Sequence, residues 1–319
     1  MKALVTGANG FTGSHLVRRL RARGDAVVAY VRPTSNLSRL EGCDLDLAYG
    51  QITDQSSLLQ AMEGVDQVFH IAAYVELGLV NAQQMDRVNV AGTQAVLAAA
   101  QASGVKRMLH CSTIGIYGDT QGRTVDETFV RQQQDFSSAY DRTKYLAQQA
   151  VDQAAQSGFH VVSVMPSGIF GLGDPHFGPV VQQFLKGGLK VWAAGDRVTG
   201  IVHVEDLVTG MLLAIDQGKV GDHFILSAGE LTTREMFTLF SQETGISVPR
   251  EVPAPLVRLA GSILDPIGRW LNWQPPLSRE RVHYLYDRCV RVNASKARTH
   301  LGWKPRSVEA TLRELVQAA

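Results

Sequence analysis

The chain of 319 residues carries 31 Lys and Arg against 30 Asp and Glu, a net charge of +1, with hydrophobic residues at 45%. That length bounds it to one large or two modest domains with a sizeable core, and the near-balanced charge excludes the basic excess that nucleic acid or an anionic surface would call for. Cys43, Cys111 and Cys289 match no metal-ligand spacing, no apolar run reaches membrane-spanning length, and the first strand begins at once; the expectation is a soluble, cytoplasmic protein with reduced thiols, no metal, no nucleic-acid partner and no membrane insertion.

The apolar strand Lys2–Thr6 runs into Gly7-Ala-Asn-Gly-Phe-Thr-Gly13, then a helix around Ser14–Arg23 and a second strand, Ala26–Val31. This is a complete βαβ unit. Glycines at the turn let backbone approach a pyrophosphate, and the helix start offers free N–H groups and a positive dipole end. Gly7, Asn9, Gly10, Phe11, Thr12 and Gly13 are therefore the candidate dinucleotide cradle, although the glycine spacing is one residue wider than in G-x-G-x-x-G. After the second strand, where an acid would meet an unphosphorylated ribose, stands Arg32, followed by Thr34 and Ser35. A guanidinium suits a 2′-phosphate, which favours NADP over NAD; the alternative is a solvated surface arginine.

Alternation continues through strand Asp46–Tyr49, helix Gln55–Met62, strand Gln67–Ile71, a helical pattern over Ala82–Ser103, strand Arg107–Ser112, helix Ser138–Ser157 and strand Val161–Met165. The expected fold is α/β, a doubly wound parallel sheet with right-handed crossovers and a smaller, mainly helical lobe. Residues 166–200 are rich in Gly and Pro; short strands Ile201–Val204 and His223–Leu226 flank the helix Val204–Asp216, and the chain from Leu231 is mainly helical. Residues 1–165 and 200–226 are assigned to the dinucleotide-binding domain, and 166–199 and 227–319 to a substrate lobe. In that lobe Val252–Trp273 either lines an apolar pocket or forms plain core, while His176, Phe177 and Trp192 either touch substrate or lie in a surface loop.

Tyr140 and Lys144 stand four residues apart on a helix, so both project from one face. An ammonium beside a phenol favours phenolate and equips it for proton exchange with a carbonyl–alcohol pair. Upstream, Ser112 and Thr113 reach the carboxyl edge of the sheet, where the Thr113 hydroxyl can donate to a substrate oxygen or merely cap the next turn. Thr113, Tyr140 and Lys144 form the candidate catalytic set. Asn89 either anchors a proton relay or satisfies a helix backbone, and the structural role is favoured.

These residues resemble the extended short-chain dehydrogenases/reductases, the group of nucleotide-sugar epimerases, dehydratases, dihydroflavonol-type reductases and 3β-hydroxysteroid dehydrogenases. The likeness spans nearly the whole chain. It rests on the three glycines, Phe69-His-Ile-Ala-Ala73, Asn89-Val-Ala-Gly-Thr93, Ser112-Thr113 with Tyr117-Gly118, Tyr140 with Lys144, Pro166-Ser-Gly-Ile-Phe-Gly171, Val202-His-Val-Glu-Asp206, and Asn293-Ala-Ser-Lys-Ala-Arg298 with Leu301-Gly-Trp303. The resemblance implies that Tyr140 is the acid/base, that Lys144 also holds the nicotinamide ribose, and that Thr113 orients the substrate carbonyl. It further implies that Ala72 and Ala73 pass beside the pyrophosphate and that Pro166, Gly168 and Ile169 back the nicotinamide. Gln51, with Ile52, stands where relatives place an acid at the adenine; an amide can still accept from the adenine amino group.

Within that family, Ile114-Gly115 replaces the Asp-Glu pair of dehydratases, and Gly168 replaces an Asn of nucleotide-sugar epimerases. Val31-Arg-Pro-Thr-Ser35 and the segment from Pro275 resemble the dihydroflavonol-reductase and steroid-dehydrogenase branch. The leading expectation is an oxidoreductase for an apolar ketone or secondary alcohol. The alternatives are a nucleotide-sugar epimerase working by transient oxidation with tightly bound NAD, and a non-catalytic dinucleotide-binding protein. The resemblance also implies a homodimer packed through the helices containing Asn89–Ser103 and Tyr140–Ser157.

Overall fold

Strands β1 (Lys2–Thr6) and β2 (Ala26–Val31) bury nearly every side chain, the pattern of parallel strands covered on both faces. The computed structural model describes residues 1–317; the last two residues of the expected lobe, 318–319, lie outside the described residues. Between the two strands runs α1 (Phe11–Ala22), followed by β3 (Asp46–Tyr49), α2 (Gln55–Ala61), β4 (Gln67–His70), α3 (Ala82–Met85), α4 (Gly92–Ala102) and β5 (Arg107–Cys111). The short β6 (Thr124–Val125), α5 (Ala139–Gln156), β7 (Val161–Pro166), β8 (Gly168–Phe170), α6 (Gly178–Leu185), β9 (Val191–Ala193), β10 (Val198–His203), α7 (Val204–Gln217) and β11 (His223–Leu226) follow. The remainder comprises β12 (Gly229–Thr232), α8 (Thr233–Thr244), β13 (Arg250–Val252), α9 (Ala254–Leu271), α10 (Arg279–Tyr286), β14 (Arg291–Val292), α11 (Ser295–His300) and α12 (Val308–Gln317).

Seven strands form one parallel sheet in the order β11-β7-β5-β4-β1-β2-β3. The order reverses between β1 and β4, and ligands of open α/β sheets bind in the crevice such a reversal opens at the carboxyl ends. Leu16, Val17 and Leu20 of α1 and Leu207, Val208 and Met211 of α7 cover one face; Leu58, Val96 and Val151 belong to the core on the other. A third core, built on Phe184, Phe237 and Phe240, holds the smaller lobe together.

The structure departs from the sequence expectation at four places. Helix α1 begins at Phe11, three residues early, because Gly10 takes the extended N-cap conformation. The Ala82–Ser103 pattern divides into α3, a π-helical turn over Asp86–Ala91, and α4. Strand β10 starts at Val198 and pairs with β8 and β12, outside the seven-stranded sheet; Gly168 and Gly200 permit this, since a Cβ on Gly168 would lie 2.9 Å from the Gly200 carbonyl oxygen. Helix α9 buries only Val257, Gly261, Asp265 and Gly268. Leu256, Leu259, Ile263, Ile267 and Trp270 face outward, so this stripe is not core. Phe177 and Trp192 instead join the lobe core, against Phe170 and Phe237 respectively.

A Cβ on Gly13 would stand 2.1 Å from the Gly7 carbonyl oxygen. Gly13→Ala must therefore push the turn off the helix, and unfolding in urea should show a loss of roughly 1–3 kcal/mol. An unchanged midpoint would show that the turn yields without cost.

Candidate active site

At the strand-order reversal the backbone of β1 turns through Gly7, whose φ is 70°. A Cβ there would lie 2.8 Å from Ala72 N and 2.9 Å from its Cα, so only glycine lets the turn rest on the chain leaving β4. Gly10 caps α1 without any side-chain hydrogen bond. The first N–H groups of the helix, from Phe11, Thr12 and Gly13, are consequently left for an external acceptor, and the dipole favours an anion. Asn9 donates to the Asn36 carbonyl at 3.2 Å, tying this turn to the segment after β2. Arg32 is exposed in that segment and makes no ion pair among the described residues. Gln51 is exposed as well, its carbonyl accepting from the Tyr30 hydroxyl at 2.9 Å. Ile52 fills the space that Gly92 leaves, where a Cβ would meet it at 2.8 Å.

A buried relay fixes this crevice to the sheet. Thr93 donates to the Asn89 carbonyl at 2.7 Å, so its oxygen accepts from His70 Nε2 at 2.9 Å. Nδ1 of His70 is then the acceptor for the Thr6 hydroxyl at 2.8 Å, and the Thr6 oxygen receives the Ala72 N–H at 3.3 Å. Every donor has one acceptor only if the imidazole is neutral. Burial, assisted by Lys144, pushes its pKa down to about 3. His110 lies beside it, ring centroids 5.5 Å apart, with neither ring nitrogen hydrogen-bonded among the described residues. Burial holds His110 well below the usual histidine range. Asn89 accepts from Tyr74 N at 2.7 Å and donates to Tyr74 O and Thr143 Oγ1, both at 3.0 Å. It clamps loop and helix.

Two strand spacings from β1, roughly 10 Å across the sheet, β5 ends at Cys111 and delivers Ser112 and Thr113 to the carboxyl edge. Thr113 Oγ1 accepts from Gly115 N–H at 3.1 Å, which caps the next turn and leaves the hydroxyl hydrogen available to donate outward. Ser138 caps α5 by accepting from Asp141 N–H at 3.0 Å, which sets Tyr140 in the first turn and Lys144 one turn on. Lys144 is buried, donates from Nζ to the Cys111 carbonyl at 2.7 Å, and is pushed down to about 8 by desolvation. Pro166 ends β7, with Gly168 and Ile169 just beyond it in β8.

The Tyr140 phenol lies above its usual range. Desolvation raises its pKa, Cys111 and Asp141 add to the effect, and the cation that opposes them is Arg288. Arg288 escapes any spacing rule because it lies 147 residues from Asp141, with which it pairs at 3.0 Å. A Cβ on Gly115 would meet Asp141 Oδ1 at 2.5 Å and Arg288 Nη2 at 2.8 Å, so this ion pair sits directly behind Thr113. Separately, a cleft of about 650 Å³ lies between the Glu76–Asn81 loop, the C-terminal end of α9 and Glu280.

The unfolded chain protonates histidine near pH 6.5, whereas folded His70 stays neutral to about 3. Between those values the unfolded state binds more protons, so stability present above pH 6.5 is lost as pH falls. Urea titrations at stepped pH should show this decline, with a shallower slope in His70→Asn; equal slopes would remove His70 from the account.

Residues 3–227 match the model of the NAD dependent epimerase/dehydratase family. The chain is 31% identical to sterol demethylase protein B of Methylococcus capsulatus, over 99% of this chain and 97% of that one. It is 33% identical to 4-hydroxy-2-methyl-3-oxo-4-farnesyl-3,4-dihydroquinoline-1-oxide ketoreductase of Stigmatella aurantiaca, over 96% and 92%. Among solved structures, a double mutant of the dTDP-glucose 4,6-dehydratase DesIV from Streptomyces venezuelae with NAD bound superposes with a TM-score of 0.81 at 25% identity, over 99% and 96%. The glycine turn at the strand-order reversal, the Tyr140–Lys144 helix and these matches make the chain a member of the NAD-dependent epimerase/dehydratase family of extended short-chain dehydrogenases/reductases.

Proposed function

We propose that this enzyme transfers a hydride between a nicotinamide dinucleotide, preferably NADP, and the ketone or secondary alcohol of an apolar small molecule. The reading is supported by Lys144 donating to the Cys111 carbonyl at the end of β5, two residues before Thr113, with Tyr140 one turn earlier on the same helix, and by a glycine cradle that side chains are kept out of. The cradle fits the dinucleotide. Gly7, Asn9, Gly10, Phe11, Thr12 and Gly13 would hold the pyrophosphate with Ala72 and Ala73, Gln51 and Ile52 the adenine, Arg32 the ribose phosphate, and Pro166, Gly168 and Ile169 the nicotinamide. When bound, the dinucleotide supplies or accepts the hydride.

Thr113 donates its free hydroxyl hydrogen to the substrate oxygen as negative charge develops there. Tyr140 hands its phenolic proton to the same oxygen, or removes it in the reverse direction; its raised pKa keeps it protonated and ready to donate to a forming alkoxide. Lys144, anchored on the Cys111 carbonyl, supplies the positive field that steadies the transient phenolate. The reductase reading is favoured by the ketoreductase and sterol relatives over the epimerase alternative. The segments 166–199 and 227–319 would form the substrate lobe, and a homodimer would pack through α4 and α5.

Purified enzyme should consume NADPH stoichiometrically against a panel of apolar ketones, whereas an epimerase would turn over sugar nucleotides with no net absorbance change. Tyr140→Phe should lower kcat by roughly 10²–10⁴-fold with cofactor affinity nearly intact, and near-normal turnover would defeat the acid/base role. Arg32→Ala should weaken NADPH by roughly 10–100-fold, the worth of a charge-assisted hydrogen bond, while sparing NADH. Equal losses for both would refute the ribose-phosphate role.

A further inference from the structure

We infer that α9 is an interfacial helix that docks the enzyme on a phospholipid bilayer, lying in the membrane plane without crossing it. Leu256, Leu259, Ile263, Ile267 and Trp270 recur at helical spacing along one face and are exposed, Leu259 by 57% and Trp270 by 84%. Leu271 and Trp273 extend the stripe, also exposed. On a helix about 27 Å long, this is a continuous exposed apolar stripe of the kind that marks an interaction surface. No helix among the described residues is long and apolar enough to span a membrane.

The opposite face fixes the helix on the lobe. Gly261 leaves room for Val282, which a Cβ would meet at 2.6 Å, and Gly268 leaves room for Pro275 at 2.7 Å. Asp265 is buried underneath, accepting from Arg269 Nε at 2.8 Å and from Arg279 N at 3.1 Å. The helix cannot roll its stripe inward without exposing that carboxylate. What remains is a convex ridge, not a groove.

The rim of the stripe selects the occupant. Of the five arginines in residues 254–288, Arg288 is buried in its pair with Asp141, Arg258 pairs with Asp287 and Arg269 with Asp265, and exposed Arg279 has no ion pair among the described residues. Arg258, Arg269 and Arg279 are exposed beside the stripe, and the two outward tryptophans stand at its C-terminal end. Aromatic rings at headgroup depth flanked by guanidinium groups suit an anionic lipid interface. The inference is independent of the reaction proposed above.

The test is co-sedimentation of the full chain with vesicles of equal parts phosphatidylcholine and phosphatidylglycerol, with tryptophan quenching by brominated lipid and solution mass measured in parallel. Wild type should pellet and be quenched. The double variant Leu259→Glu, Trp270→Glu should lose at least roughly tenfold in vesicle affinity with unchanged circular dichroism and mass, since both side chains are exposed. The inference is overturned if wild type stays in the supernatant, if the variant binds equally well, or if the variant halves the solution mass without any wild-type vesicle binding, which would assign the stripe to a second copy.

Discussion

The approach of three backbone segments at the strand-order reversal governs the rest of the molecule. Gly7 rests against Ala72, and Gly13 rests against the Gly7 carbonyl, at separations that admit no Cβ. Those contacts draw the start of α1 onto the carboxyl end of the sheet, so its unpartnered N–H groups face the crevice. The same contacts require the chain leaving β4 to pass close by, which the Thr6–His70–Thr93 relay enforces from below. Substituting one glycine therefore disturbs both binding surface and sheet edge.

Electrostatics divides the reactive edge into two parts. Lys144 is held by a carbonyl rather than a carboxylate, and desolvation brings its pKa down to about 8. Tyr140 is driven the other way and keeps its proton, while the Asp141–Arg288 pair behind Thr113 neutralises itself. A buried ion pair adds little net stability, but removing either partner strands a charge. Its place here is positional: it packs where Gly115 lacks a side chain and links the lobe to the helix bearing Tyr140.

The parts of the fold that are written locally could be read from the sequence. The glycine turn, the apolar strands and the Tyr140–Lys144 spacing each occupy a short window governed by backbone geometry or helical pitch. Arg288 could not be found this way, because nothing in its neighbours records that Asp141 will lie beside it. The π-helical turn was likewise hidden, since Asn89 makes it useful only through bonds to Tyr74 and Thr143. Helix α9 exposes a different limit. Periodicity shows that a face is apolar, and it is silent on whether that face meets protein.

The lobe is assembled from two lengths of chain separated by the last strand of the parallel sheet. Phe184 precedes β11, while Phe237 and Phe240 follow it, yet all three share one core. Neither length completes that core alone. Closure of that core therefore joins segments far apart in the chain, a long-range contact of the kind that slows folding. During synthesis the half-made core is an exposed aromatic surface, the kind of intermediate that chaperones shield.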